Sequence, residues 1–492
     1  MSQWPELPAP DVSAEHPISE HWIYTGGHRP PMPRVLNDRM TQHWRVPSIP
    51  DEQHPALERF AARRAALTAL FPGRTIVVPS GNYKVRSHDT DYNFRTANDF
   101  YYLSGCKDPD VVLVLKDAEA TLYLSPRRDQ STHQFFTDPR YGELWVGARR
   151  GLEESEIFFG LSAKPLDQLE KDLLELDPVN VLVDRGIDAT IDSYIPANDD
   201  DHLVPFTLSN HRLIKDEYEI TQLQAAVDFT IKGFEDVVRA LPSARVRGER
   251  VVEGVFHLRA RVEGNDVGYN TIAASGSNAT ILHWMHNSGP VNDGDLLLLD
   301  AGVEVNELYT ADVTRTMPVN GRFTPAQRRI YDIVKQAADV TIAKLRPGLP
   351  FTDIYATATR VLTEGLIELG IMTDDIDVAT RRDTQLFRRY TLHGTSHMLG
   401  LDVHDCTQSR EVHLGGPLEA GHVLTVEPGL YFQTNDLTVP EEYRGIGIRL
   451  EDDLLITADG CINLSAALPR DPDEIEAWMA GLWAGGPGDL AR

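Results

Sequence analysis

Cysteine is nearly absent: Cys106, Cys406 and Cys461 are the only three in 492 residues. They are odd in number, far apart and in no CxxC spacing. That excludes a disulfide framework or a cysteine-built zinc site, and a reducing compartment is the simpler expectation. Basic residues are also scarce. The 47 Lys and Arg face 74 Asp and Glu, a formal net charge of −27. Nucleic-acid binding wants clustered cations against phosphate, so no nucleic-acid partner is expected. An acidic chain is compatible with solubility and with attraction of metals or amino termini. No window approaches the ~18 apolar residues of a membrane span. The opening Met1-Ser2-Gln3-Trp4-Pro5 lacks the basic and apolar regions of a signal peptide. A cytoplasmic protein with no membrane partner is expected.

The length suits two or three domains of roughly 100–200 residues each. Residues 1–54 form a proline-rich arm, with nine prolines in the first 50 positions. Proline removes backbone donors and blocks regular helix, so this stretch reads as an extended arm on the fold or on a partner subunit, or as a flexible tail. Residues 55–211 read as an α/β domain. A helix over 57–70 closes at Pro72-Gly73, and short apolar runs follow at 76–78, 111–115, 121–124 and 179–183, with an amphipathic stretch at 166–176. Strands alternating with helices predict a partly parallel sheet.

Residues 212–475 begin sharply. Asp216 and Glu219 form a capping box, and apolar residues from Ile220 to Leu241 keep a three-and-four step that makes one helical face; Pro242 is expected to stop that helix. A second helix opens with Thr324-Pro325 and its box partner Gln327, and a third runs from near Thr352 to near Gly370. Between and after them come strand pairs, 296–301 with 310–319 and 422–427 with 447–456. Helices followed by a hairpin thus occur twice, which predicts two α+β halves facing each other. Residues 476–492 read as a C-terminal tail, with fraying expected from Pro469 onward.

Four carboxylates occupy matching places in the two halves. Asp300 ends Leu296-Leu297-Leu298-Leu299; Asp312 lies in Ala311-Asp312-Val313-Thr314-Arg315-Thr316; Glu427 ends Leu424-Thr425-Val426; Glu451 follows Ile446-Gly447-Ile448-Arg449-Leu450. A carboxylate among apolar strand residues is at risk of burial, and a buried unpaired charge is so costly that such groups pair or bind metals. Each acid alone is an ordinary strand-end charge; all four, one pair per hairpin, are harder to dismiss. A histidine cluster, His393-Gly394-Thr395-Ser396-His397 through His404-Asp405, completes the set, with His283 upstream. Gly394 weakens any helical reading of the His393–His397 spacing. Hard oxygen donors with one or two imidazoles suit Mn²⁺ or a similar ion, and enough carboxylates to bridge two ions argue for a dinuclear hydrolytic centre.

The run H-G-T-S-H-x-L-G-L-D-V-H-D, with L-L-D-A-G, A-D-V-T-R-T, V-E-P-G-L-Y and G-I-G-I-R-L-E-D-D, resembles the aminopeptidase P family of pita-bread metallopeptidases over about 215–457. Asn98-Asp99-Phe100-Tyr101-Tyr102-Leu103-Ser104-Gly105 is similar to that family's N-terminal domain. The resemblance implies an α/β N-terminal domain followed by an α+β pita-bread (creatinase/aminopeptidase-like) catalytic domain. It implies two divalent ions per chain, usually Mn²⁺, on Asp300, Asp312, His397, Glu427 and Glu451, with Asp312 and Glu451 bridging. His283, His393, His404 and Arg449 would surround the substrate, and Glu427 would accept a proton from the attacking water. The substrates implied are peptides with proline in second position, and a homodimer or homotetramer is expected. The departures are peripheral: the proline-rich arm and a charged insert at 374–389. Three rival readings are a prolidase acting on Xaa-Pro dipeptides, disfavoured by Ser396, a methionine aminopeptidase, disfavoured by the long N-terminal domain, and a metal-free pita-bread binding module, disfavoured by retention of every ligand residue.

Overall fold

The strand Thr75–Pro79, buried along its whole length, lies inside a five-stranded mixed sheet within residues 1–204, the first of two compact units. The chain is seen in a computed structural model that describes residues 22–23, 32–45, 48–50, 52–486 and 488–489. The strand order is Ser162–Pro165, Glu119–Leu124, Val112–Lys116, Thr75–Pro79, Val181–Val183. Inner pairs are antiparallel and both edge strands join in parallel, as strands alternating with helices require. The expected helix runs Leu57–Leu70. The amphipathic stretch becomes a 3₁₀ turn, Leu166–Gln168, leading into the helix Leu169–Leu174. Leu169 and Leu173 pack there on Val77, Tyr123 and Val181, each contributing about 1.5–3 kcal/mol by leaving water. Of the proline-rich arm, Trp22–Ile23 pairs antiparallel with Met32–Pro33, and Arg34–Met40 is a short helix. Most of the arm lies outside the described residues.

The second unit, residues 205–492, has its first long helix at Glu217–Arg247, after the short Leu203–His211. Asp216 Oδ1 accepts from the amides of Tyr218 at 2.9 Å and Glu219 at 3.0 Å, and Glu219 Oε2 accepts from the Asp216 amide at 3.0 Å. Proline at 242 does not stop this helix, contrary to expectation. Pro242 has no N–H for the Val238 carbonyl four residues back, and the indole Nε1 of Trp483 donates to that carbonyl instead, at 2.8 Å. The helix ends at Gly248, whose φ of +86° suits glycine. The expected tail is also corrected. Pro472–Ala484 is a helix, N-capped by Asp471, that buries Ile475 and Met479. Apolar residues at helical spacing outweigh the Gly- and Pro-rich end.

Each half of this unit carries two helices and a three-stranded antiparallel sheet. Helices Glu217–Arg247 and Glu249–Glu263 accompany the sheet Ile272–Ser275, Leu296–Ala301, Val313–Pro318. Helices Pro325–Ile342 and Thr352–Glu368 accompany the sheet Val423–Val426, Asp452–Ile456, Cys461–Asn463. The second expected strand pair is split. Residues 452–456 pair with 423–426, whereas Gly447–Arg449 leaves that sheet to pair with Gly429–Tyr431. A chain break in the ladder at Leu450-Glu451 lets Glu451 bridge instead to Thr314 of the first half. The insert at 374–389 holds two short turns, Ile376–Thr380 and Leu386–Arg389, with Arg389 forked on Asp436 at 2.9 and 2.8 Å. Among the described residues no helix is long and apolar enough to cross a membrane.

Trp483→Phe is expected to lower the unfolding free energy by about 1–3 kcal/mol, the cost of an unpaired buried carbonyl. The loss should shrink in a Pro242→Ala background, where a restored N–H serves Val238. Urea unfolding of the four proteins checks this.

Candidate metal centre

Period-two alternation aims the acids. In Leu296–Ala301, Leu297, Leu299 and Ala301 enter the helix-covered core with Phe234, Phe256 and Ile330. Leu298 faces the other way, onto Ile272, Ala274 and Tyr431, and Asp300 shares its face. In the neighbouring strand Val313 and Met317 are core, so Asp312, Thr314 and Thr316 share the opposite face, and Asp312 lines the cavity. Ile448 and Leu450 are core, so Arg449 and Glu451 turn the other way and line the cavity too. Gly302 makes the crowding possible: a Cβ there would sit 1.7 Å from the Ala311 carbonyl oxygen, so only glycine lets the chain beyond Asp300 approach that ahead of Asp312.

All nine residues singled out from the sequence line one cavity of about 650 Å³: His283, Asp300, Asp312, His393, His397, His404, Glu427, Arg449 and Glu451. Asp312, His397 and Glu451 each offer a ligand atom, and these lie within 4.8 Å of one another. His397 Nε2 is 3.2 Å from Asp312, 3.7 Å from Glu427 and 4.0 Å from Glu451. His393 Nδ1 is 3.3 Å from Glu427, and the His404 ring stands edge-on to His397 at 4.4 Å. Arg449 is ion-paired to Asp300 and donates to Tyr431 Oη at 2.9 Å. The histidine segment is a loop held along the strand Val423–Val426: Thr425 N donates to His397 O and Glu427 N to Thr395 O, both at 3.0 Å.

Four further residues belong to the site and are passed over by sequence reasoning. Tyr269 Oη lies within hydrogen-bond distance of both Asp300, at 2.7 Å, and Asp312, at 2.6 Å, tying the two acids together. Thr314 Oγ1 donates to Glu451 at 2.6 Å. Tyr431 bonds His393 Nε2 at 2.8 Å, and Asp453 accepts from the Asp312 amide at 3.1 Å. Asp453 was readable, since it stands two residues after Glu451. Nothing in the spacing around Tyr269 marks it.

The cluster's electrostatics follow from burial. Burial and the nearby Asp312, Glu427 and Asp300 push Glu451 well above the carboxylate range. Burial raises Asp300 against the pull of Arg449. Burial also acts to raise Glu427, but the His393 hydrogen bond and the charges of His393, His397 and Arg449 outweigh it and hold that acid low. His397 is lowered by burial, yet Asp312 and Glu427 carry it up to about 9. Asp453 Oδ1 is buried without a hydrogen-bond partner. Acids crowded around a single guanidinium, with imidazole among them, are a hard-donor set that fits a divalent cation.

A carboxyl raised above its ordinary value of 4.5 costs nothing while protonated in both states, and stability is lost as pH rises through the folded value. In chelator-treated protein, Glu451→Gln is therefore expected to become more stable than the parent as pH climbs above 4.5. The two should converge at lower pH. Denaturation midpoints at about pH 5 and about pH 8 test this.

Comparison with known proteins agrees with the geometry. Residues 221–458 match metallopeptidase family M24, and residues 60–179 match the aminopeptidase P N-terminal domain. The chain is 48% identical to Xaa-Pro aminopeptidase 1 of Streptomyces coelicolor, over 97% of this chain and 98% of that one. It is 34% identical to the Xaa-Pro aminopeptidase of Escherichia coli, over 86% and 97%. Zn-substituted E. coli aminopeptidase P in complex with product superposes with a TM-score of 0.77 at 34% identity, covering 87% of this chain and 99% of that one. Proline aminopeptidase P II from Yersinia pestis gives 0.76 at 35% identity, covering 86% and 99%. The fold class is the one expected from the sequence, an aminopeptidase P N-terminal domain ahead of a pita-bread catalytic domain. With divalent-metal chemistry implied by its catalytic domain, the chain belongs to metallopeptidase family M24, among the Xaa-Pro aminopeptidases.

Proposed function

We propose that this protein removes the N-terminal residue from peptides whose second residue is proline. We further propose that Asp300, Asp312, His397, Glu427 and Glu451 would hold two divalent ions, Mn²⁺ by the donor set. The observation that carries the reading is the meeting of Asp312, His397 and Glu451 ligand atoms within 4.8 Å on the wall of the cavity. Bound divalent ions would supply Lewis acidity toward the scissile carbonyl and activate water. Zinc is the alternative ion; the predominance of oxygen donors over nitrogen favours manganese.

The remaining chemistry belongs to side chains. Glu427, held below the usual carboxylate range, is ionised at neutral pH and can accept a proton. His393, 3.3 Å away, can carry that proton onward. An Xaa-Pro bond is a tertiary amide whose nitrogen has no N–H, so recognition cannot use one, and the departing proline nitrogen needs a proton. His393, placed to receive the proton from Glu427, is the candidate general acid, whereas burial and His397 beside it hold His404 low and neutral. The cavity continues past the acids to Val403, Thr407 and Arg410, giving wall to a peptide that extends beyond proline. This supports an aminopeptidase over a dipeptide-restricted prolidase. A homodimer or homotetramer in the cytoplasm completes the proposal.

With Mn²⁺, a tripeptide of the Arg-Pro-Pro type is expected to be cleaved with kcat/KM at least about tenfold above that for an Xaa-Pro dipeptide. Preference for the dipeptide would overturn the specificity. Asp312→Ala and Glu451→Ala should each reduce cleavage to background and release metal, as read by elemental analysis, while keeping the native circular dichroism. An active variant would sink the ligand assignment.

A further inference from the structure

Glu249 lies outside the acidic cavity, at the start of the helix Glu249–Glu263, and is completely buried. Its Oε1 accepts from the Ser275 amide at 2.8 Å and from Asn278 Nδ2 at 2.9 Å. Its Oε2 accepts from the Trp284 indole Nε1 at 2.7 Å and from the Gly289 amide at 2.6 Å. The Glu249 amide in turn donates to the Gly289 carbonyl at 3.0 Å. A carboxylate has about four acceptor sites, and here all four are taken by neutral donors from one segment, residues 275–289. Such a saturated site is specific to a carboxylate. Glutamine would turn an NH₂ group toward two of the donors.

That segment carries Leu282, His283 and Met285, all on the cavity wall. Burial does not hold it there, because Ile281, His283, Met285 and His286 are exposed. The backbone adds only two turn bonds at residues 281–286, from the Ile281 amide to the Asn278 carbonyl and from the Met285 amide to the His283 carbonyl, both at 2.9 Å. Trp284 is the anchor. Its side chain packs with Leu282 against the Ile272, Ala274, Leu298 and Tyr431 cluster, while its indole N–H reaches Glu249. Asn287, buried at φ +45°, closes the far end by donating to Thr271 O and accepting from the Ala273 amide, both at 2.9 Å.

We propose that Glu249 is a positioning residue for the peptidase reaction: by gripping Trp284 it fixes the turn that presents His283 to the substrate. This rests on the function proposed above and deepens it. A misplacement of the order of an ångström is enough to cost one to two powers of ten in rate, and an exposed turn released from the indole bond that anchors its middle would move by that much.

The test is a double-mutant cycle on the full-length, Mn²⁺-loaded protein with a proline-second tripeptide, combined with hydrogen–deuterium exchange. Trp284→Phe keeps the ring and removes the N–H. It is expected to lower kcat/KM about tenfold in the parent and less than about twofold in a His283→Ala background. Exchange should rise at residues 281–286 and stay unchanged elsewhere in the catalytic unit. Glu249→Gln must follow the same pattern. Equal losses in both backgrounds, no loss in the parent, or exchange that is unaltered or raised throughout the unit would overturn the proposal. A parent inactive on every proline-second peptide would refute the function proposed above, while the exchange data still decide the role of Glu249.

Discussion

Concentrating acid inside protein is the constraint on which the catalytic unit is built. Asp300, Asp312, Glu451 and Asp453 are all buried, Glu427 is nearly so, and one guanidinium, that of Arg449, is ion-paired within the group. Each such charge taken from water costs several kcal/mol unless it is compensated. The strands offset that cost by strict division of labour, with apolar side chains turned to the helices and acids turned to the cavity. Tyr269, Thr314 and Tyr431 add neutral hydroxyls that donate to or link the charged groups. A site of this kind is metastable without cations and is matched to their arrival.

The two halves meet at that site through well-buried contacts. The Arg315 guanidinium, itself buried, donates to the Glu451 carbonyl at 2.7 Å, to Asp452 at 2.7 Å and to the Leu468 carbonyl at 3.0 Å. Thr316 Oγ1 accepts from the Arg449 amide and donates to its carbonyl. The strand bearing Asp312 is thereby locked to the one bearing Glu451. Groups contributed by both halves are held in fixed register by side chains that never reach the cavity themselves, which is how a precise constellation survives on elements far apart in sequence.

Much of this was legible in advance, for identifiable reasons. Capping boxes at Asp216 and Thr324 mark helix starts because they involve neighbours in sequence. Apolar runs ending in acids mark Asp300 and Glu427 because such acids are anomalous where they stand. What escaped depends on partners distant along the chain. Pro242 reads as a stop because its missing N–H is local, whereas its remedy, Trp483, is not. The strand pairing around 447–456 reads as one hairpin because the switch of partners at Leu450-Glu451 is decided by Thr314 in the other half. Tyr269 has no anomaly of its own, since a tyrosine before a strand is ordinary until the two acids it ties together are seen. Glu249 is equally plain in sequence, and its four donors lie well downstream.

The bond between Trp483 and Val238 also orders events during synthesis. The first long helix of the catalytic unit emerges from the ribosome with an unmatched carbonyl at Val238. Its remedy is translated 245 residues later, on the helix Pro472–Ala484. Until then that turn has only water or transient partners, so the helix can form but cannot be sealed. That later helix therefore acts as a clasp, and a nascent chain halted short of Trp483 would keep its first long helix open to the chaperones and proteases that survey unfinished proteins.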